Sequence, residues 1–166
     1  MQPRVQVEVV GLPDDEVEAA FIYNFLLFTT WPDEGRAGSV DSPLGICTVG
    51  QDGVSTALGA LRGRMVRDRS LQLRAISGGD GFDDCHAVYL AKSEKLRWEN
   101  LLDATGGSHL LTVVDCGESL CASSSVLAVA VEKNRVVFTV SMPSAERAGL
   151  NISAKLLRLA QTVHKP

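Results

Sequence analysis

The sequence has no apolar run of the roughly 20 residues that a membrane-crossing helix needs, because polar groups interrupt every hydrophobic stretch after a few positions. It has no excess of basic charge either. Sixteen Lys and Arg are scattered among 20 Asp and Glu for a formal net charge of −4, which leaves no footprint for a phosphate backbone and argues against nucleic-acid binding. Walker A, GxGxxG, GxSxG, HExxH and protein-kinase signatures are all missing, so nothing points to a cofactor or to one of those catalytic frameworks. Internal repeats and low-complexity tracts are absent too. At the start, Met1-Gln2-Pro3-Arg4 leads into alternating Val5-Gln6-Val7-Glu8 rather than an apolar core, so no signal peptide is visible. A mature sequence begun with an added Met reads identically, and the compartment therefore rests on the cysteines.

What is present suits one globular domain: 166 residues, 45% hydrophobic and 22% charged. A chain of this size buries roughly 68–70% of its unfolded surface without needing staples or metals. Acidic residues at Asp14 and Asp15 followed by Val17, Phe21, Phe25 and Phe28 predict a helix to about Thr30, ended by Trp31-Pro32. Leu44–Val49 reads as a buried strand, 54–61 as a helix, and Leu71, Leu73 and Ala75 as a half-buried strand. Cys85–Leu90 is a further strand. Ser93 is expected to cap a helix to about Ala104 with Leu96, Leu101 and Leu102 inward, and His109–Val114 forms the next buried strand. Val126–Val131 and Val136–Val140 flank Glu132-Lys-Asn-Arg135, where Asn134 can adopt the left-handed turn of an antiparallel hairpin. A closing helix is expected over Ser153–Val163, with Ile152, Leu156, Leu159 and Val163 facing the core. The expected fold is a single α/β domain over 14–166, after an N-terminal extension over 1–13. It has a mainly parallel sheet flanked by helices, a C-terminal antiparallel hairpin and the closing helix.

Few residues suggest chemistry. Gly50-Gln-Asp-Gly53 between a strand and a helix could cradle an anion, although a plain turn uses the same residues. Cys85 and His86 adjoin Asp83 and Asp84, but neighbours on a strand point to opposite faces, which opposes a joint catalytic role. Arg62, Arg64, Arg67 and Arg69 read as a solvated basic turn or an anion contact. His109 and His164 stand alone. The four cysteines, Cys47, Cys85, Cys116 and Cys121, allow three pairings, and four buried thiols fit as well as two bridges. Only Cys116-x4-Cys121 approaches a zinc knuckle, so a metal site is not expected. For that pair a local bridge is favoured over a redox dithiol, which normally sits at a helix N-terminus. Cys47 and Cys85 can pair only if their strands are close.

The order of segments resembles the YfiR family: Val17–Phe25 running into Trp31-Pro32, Ile46–Gly50, Cys85-His86, Leu110–Val113, Val136–Phe138 and Gly149–Ala160. The chain departs from the family pattern in having Ser124-Ser125 for a Gly-Gly pair and Ser141 for an Asn. The resemblance implies a non-catalytic periplasmic protein that represses a YfiN-type membrane diguanylate cyclase by binding its periplasmic region. It also implies sequestration by a YfiB-type outer-membrane lipoprotein, a homodimer or larger assembly, and disulfides pairing Cys116 with Cys121 and Cys47 with Cys85. Leu120, Val126 and Leu127, after the loop bridge, are then expected to present apolar area to a partner. Two other readings compete: a periplasmic small-ligand sensor with its pocket at the carboxyl strand ends near Gly50 and Asp115, and a thiol enzyme using Cys85 or Cys116.

Overall fold

Three acids, Asp14, Asp15 and Glu16, open helix α1 (Asp14–Leu27), complementing its N-terminal dipole. The computed structural model describes residues 14–33, 42–77, 81–105, 108–158 and 162–164, so the extension over 1–13 lies outside the described residues. Helix α1 buries Phe21 and Phe25 against Phe138, with ring centroids 4.8 and 6.1 Å from it. Burial of each such ring contributes about 1.5–3 kcal/mol. The helix stops at Leu27, before the expected Thr30, because two groups claim its last carbonyls. Thr29 Oγ1 donates to Phe25 O at 2.9 Å, and Arg67 donates to Leu27 O and Thr29 O at 2.8 and 2.7 Å. Phe28 is left at the surface. Thr29–Thr30 becomes strand β1.

Strand β2 (Leu44–Val49) leads through an Asp52–Ser55 capping box into α2 (Gly53–Gly59), then to β3 (Met65–Val66) and β4 (Arg69–Ala75). Strand β5 (Ala87–Leu90) is followed by a 3-10 turn over Lys92–Arg97 and helix α3 (Trp98–Ala104). The tighter winding of that turn rotates Leu96 outward to 99% exposure, whereas Trp98 and Leu102 face the core. Strand β6 (Leu111–Gly117) precedes the hairpin of β7 (Leu127–Glu132) and β8 (Arg135–Ser141), whose turn residues Lys133 and Asn134 have φ of 51° and 65°.

The C-terminal part differs from expectation. Ser141 caps an unforeseen helix, α4 (Met142–Arg147), in which Pro143 occupies the first turn, where its missing N–H costs nothing. Strand β9 (Asn151–Ile152) pairs antiparallel with β1. The closing helix shortens to α5 (Ala154–Leu157), with Ile152 and Leu156 buried as expected. Thr162–His164, including Val163, forms strand β10 parallel to β8, satisfying that strand's open edge; Leu159 lies outside the described residues.

The main sheet has the order β10-β8-β7-β6-β5-β2-β4-β3, antiparallel only at β8-β7 and β4-β3. Helices α1, α2 and α4 pack with Ile46, Tyr89, Val113 and Phe138 on one face; α3 packs with Val88, Val114 and Cys47 on the other. From β2 the chain first moves to β4 and then back to β5, so the strand order reverses between β2 and β5.

Candidate functional site

At the amino ends of β2, β4 and β5, a cationic side chain joins segments far apart in sequence. Arg69, at the start of β4, donates from Nη1 and Nη2 to the two Asp33 carboxylate oxygens at 2.9 and 3.1 Å, and from Nε to Ser42 O at 3.0 Å. Its guanidinium is 4% exposed, so the solvated basic turn expected from sequence does not describe it. Arg67 ties α1 instead, and Arg62 donates to Leu73 O. Gly45 N–H donates to His86 Nδ1 at 3.1 Å, and His86 Nε2 lies 3.2 Å from Asp33 Oδ2 and 2.9 Å from Arg69 Nη2. Trp31 Nε1 donates to His86 O at 2.8 Å. Burial pushes the Asp33 carboxyl up, but hydrogen bonds from Arg69 and His86 and the Arg69 charge outweigh it, holding Asp33 below the usual carboxylate range. Two cavities of about 530 and 500 Å³ adjoin this group and share Asp33, Asp83 and His86.

At the carboxyl ends, where the small-ligand reading placed its pocket, side chains fill the switch point. Tyr89 Oη lies 2.9 Å from Asp52 Oδ2 and 3.0 Å from Asp115 Oδ2, and Gly117 N–H donates to Asp115 Oδ1 at 2.8 Å. Glu18 of α1 is buried beside Asp115. The Asp15 carboxylate covers Gly53, so the turn that could cradle an anion is already lined by the chain's own acids. Sequence reasoning missed Glu18, although its spacing from Ile22 and Phe25 places it on the buried face of α1.

The cysteines form two disulfides, Cys47–Cys85 bridging β2 to the start of β5 and Cys116–Cys121 closing the loop after β6. That pairing is the one the resemblance implies. Residues 15–161 match the YfiR/HmsC-like family. The chain belongs to the YfiR/HmsC-like family. No curated protein matches it.

YfiR/HmsC-like proteins are periplasmic and regulatory, acting in diguanylate cyclase signalling. In this member the disulfides suit an oxidising compartment, and none of the described helices is long and apolar enough to cross a membrane. The sulfurs of Cys85 and Cys116 are both bonded, so neither is a nucleophilic thiol. Cys85 and His86 separate as the strand geometry requires: the sulfur joins Cys47 while the imidazole turns to Gly45 and Asp33. His109 Nδ1 donates to Ala148 O at 2.7 Å in a structural contact. No group of three His, Cys, Asp or Glu among the described residues is arranged to hold a metal. Of the three residues expected to present apolar area, Val126 and Leu127 are 2% and 0% exposed, because they enter the sheet core at β7. Leu120 alone reaches the surface, half-buried on the bridged loop, with its N–H held by Glu132 Oε2 at 3.1 Å.

Proposed function

We propose that this chain is a non-catalytic repressor that binds the periplasmic region of a YfiN-type inner-membrane diguanylate cyclase. Binding lowers cyclic-di-GMP and biofilm formation. A YfiB-type outer-membrane lipoprotein withdraws the repressor, which works as a homodimer or larger assembly. The observation that carries this reading is the family match, which spans every described strand except β10. Supporting it, the four cysteines are committed to disulfides and the loop bearing Leu120 is tied by one of them. The test is copurification with the periplasmic part of a membrane cyclase together with cyclic-di-GMP levels on overexpression. Capture with reduced cyclic-di-GMP is expected, and absence of both would sink the reading. Leu120→Glu is expected to weaken capture at least tenfold, the equivalent of about 1.4 kcal/mol, with an unchanged melting temperature. Undiminished capture would remove Leu120 from the contact.

A second reading, a small-ligand sensor, draws on the cavity of about 530 Å³ beside Trp31, Phe82, His86 and Leu110 at the amino strand ends. A metabolite held there at 100 times its Kd should add about 2.7 kcal/mol to stability in a thermal-shift panel. A panel without any stabilising compound counts against this reading.

A further inference from the structure

The switch point between β2 and β5 gathers four acids from three segments: Asp15 and Glu18 from α1, Asp52 at the start of α2, and Asp115 from β6, around the Tyr89 hydroxyl of β5. The supply of hydrogen-bond donors is short. Ser55 N–H serves Asp52 Oδ1 and Gly117 N–H serves Asp115 Oδ1. The Tyr89 hydroxyl lies within bonding distance of both Asp52 and Asp115, yet it has one proton and can serve one of them at a time. Glu18 is 3% exposed, and its Oε2 meets no donor among the described residues. Burial, the charge of and hydrogen bond to Asp115, and the charges of Asp52 and Asp15 act on its carboxyl, all unfavourable to ionisation. Lys92, reaching Gly117 from the turn after β5, is exposed and is not among them.

We propose that buried Glu18 holds a proton, taken up from solvent when α1 docks and directed at Asp115, and that this proton controls how firmly α1 is held on the sheet. A protonated Glu18 becomes a donor to Asp115 and Tyr89 then donates to Asp52, so Asp115 and Asp52 each hold a side-chain donor beside their backbone one. The Glu18–Asp115 pair carries one negative charge in place of two. Loss of the proton leaves two buried carboxylates facing each other with no donor between them, and helix α1, which carries one of them, is the element that loosens.

Burial, then the charge of and hydrogen bond to Asp115, push the Glu18 carboxyl up to about 9. An exposed Glu in the unfolded chain ionises near pH 4.3. Between those values the folded state holds a proton that the unfolded state does not, so stability falls as pH rises through the window and is greatest at its acidic end. Hydrogen exchange of the α1 amides, corrected for intrinsic rates, tests this on the intact chain. The opening constant of α1 is expected to rise up to tenfold per pH unit between about pH 6 and 9, while Glu18→Gln, which mimics the protonated acid, is flat over the same range. Asp115→Asn, which removes the neighbouring charge and offers Glu18 a neutral donor, should move the rise to lower pH and serves if the first variant folds poorly. In the wild type, infrared spectra at neutral pH should show the carbonyl stretch of a protonated carboxylic acid, and an isotope-labelled Glu should shift it. A wild-type slope equal to that of Glu18→Gln, a rise left unmoved by Asp115→Asn, or no protonated-acid band, overturns the proposal. So does calcium restoring alkaline protection of α1 in the wild type alone, since a metal ion would then neutralise the cluster in place of the proton.

Discussion

Replacing Arg69 with Met is expected to lower the unfolding free energy by about 2–3 kcal/mol, read as a drop in urea midpoint at constant slope. The Met stem fills the space, so the loss reports the guanidinium. Without it the Asp33 carboxylate keeps, among the described residues, only His86 as a charged or polar side-chain partner, and Ser42 O loses the hydrogen bond from Arg69 Nε. Asp33 is 39% exposed, so water takes part of the load, and the expected loss lies below the 3–5 kcal/mol typical of a fully buried broken pair. Arg69→Lys should recover less than half, because an ammonium cannot make the bidentate contact and reach Ser42 together. The pH dependence has a definite sign. Asp33 sits below its ordinary value when folded, so its contribution is present above about pH 4 and is lost as pH falls through the folded value. The Arg69→Met protein should lack that part of the acid-side slope. An unchanged midpoint and slope would show that Arg69 anchors nothing.

Removing the Cys47–Cys85 bridge by a double Ala substitution should cost about 4 kcal/mol, against about 2 kcal/mol for the Cys116–Cys121 pair. The ranking follows from loop closure. The first bridge spans 38 positions and the second 5, and the entropy denied to the unfolded chain grows with the logarithm of that span. Packing points the same way, because Cys47 is 1% exposed between β2 and α3, where a missing sulfur leaves a void, whereas Cys121 is half-buried on a loop. Unfolding midpoints of the two double mutants, measured side by side, test the order. The opposite order would mean that the short loop, not the sheet bridge, carries the constraint.

Strands were legible where local pattern and burial agree. Leu44–Val49, the run into Leu90, and Leu111–Val114 are apolar runs of strand length bounded by turn residues, as strands covered on both sides are, and the turn at Asn134 fits the hairpin between β7 and β8. The segments that were misread are those with two local solutions. Ser153–Val163 has helical spacing, yet the open edge of β8 draws Thr162–His164 into a strand. Pro143 reads as a break, although a proline in the first turn is compatible with α4. Val126 and Leu127 follow a loop and look presentable, but the parallel pairing of β7 with β6 buries them.

The sequence by itself determined the α/β class, the order of the main strands, the first helix and the family, because apolar period, turn residues and segment order are local or linear properties. The two clusters at the strand ends were decided only by tertiary structure. Arg69 meets Asp33 from 36 positions away, and Glu18 meets Asp115 from α1 and β6. The sign and strength of a charge's environment depend on which distant groups share its burial, and no spacing along the chain encodes that.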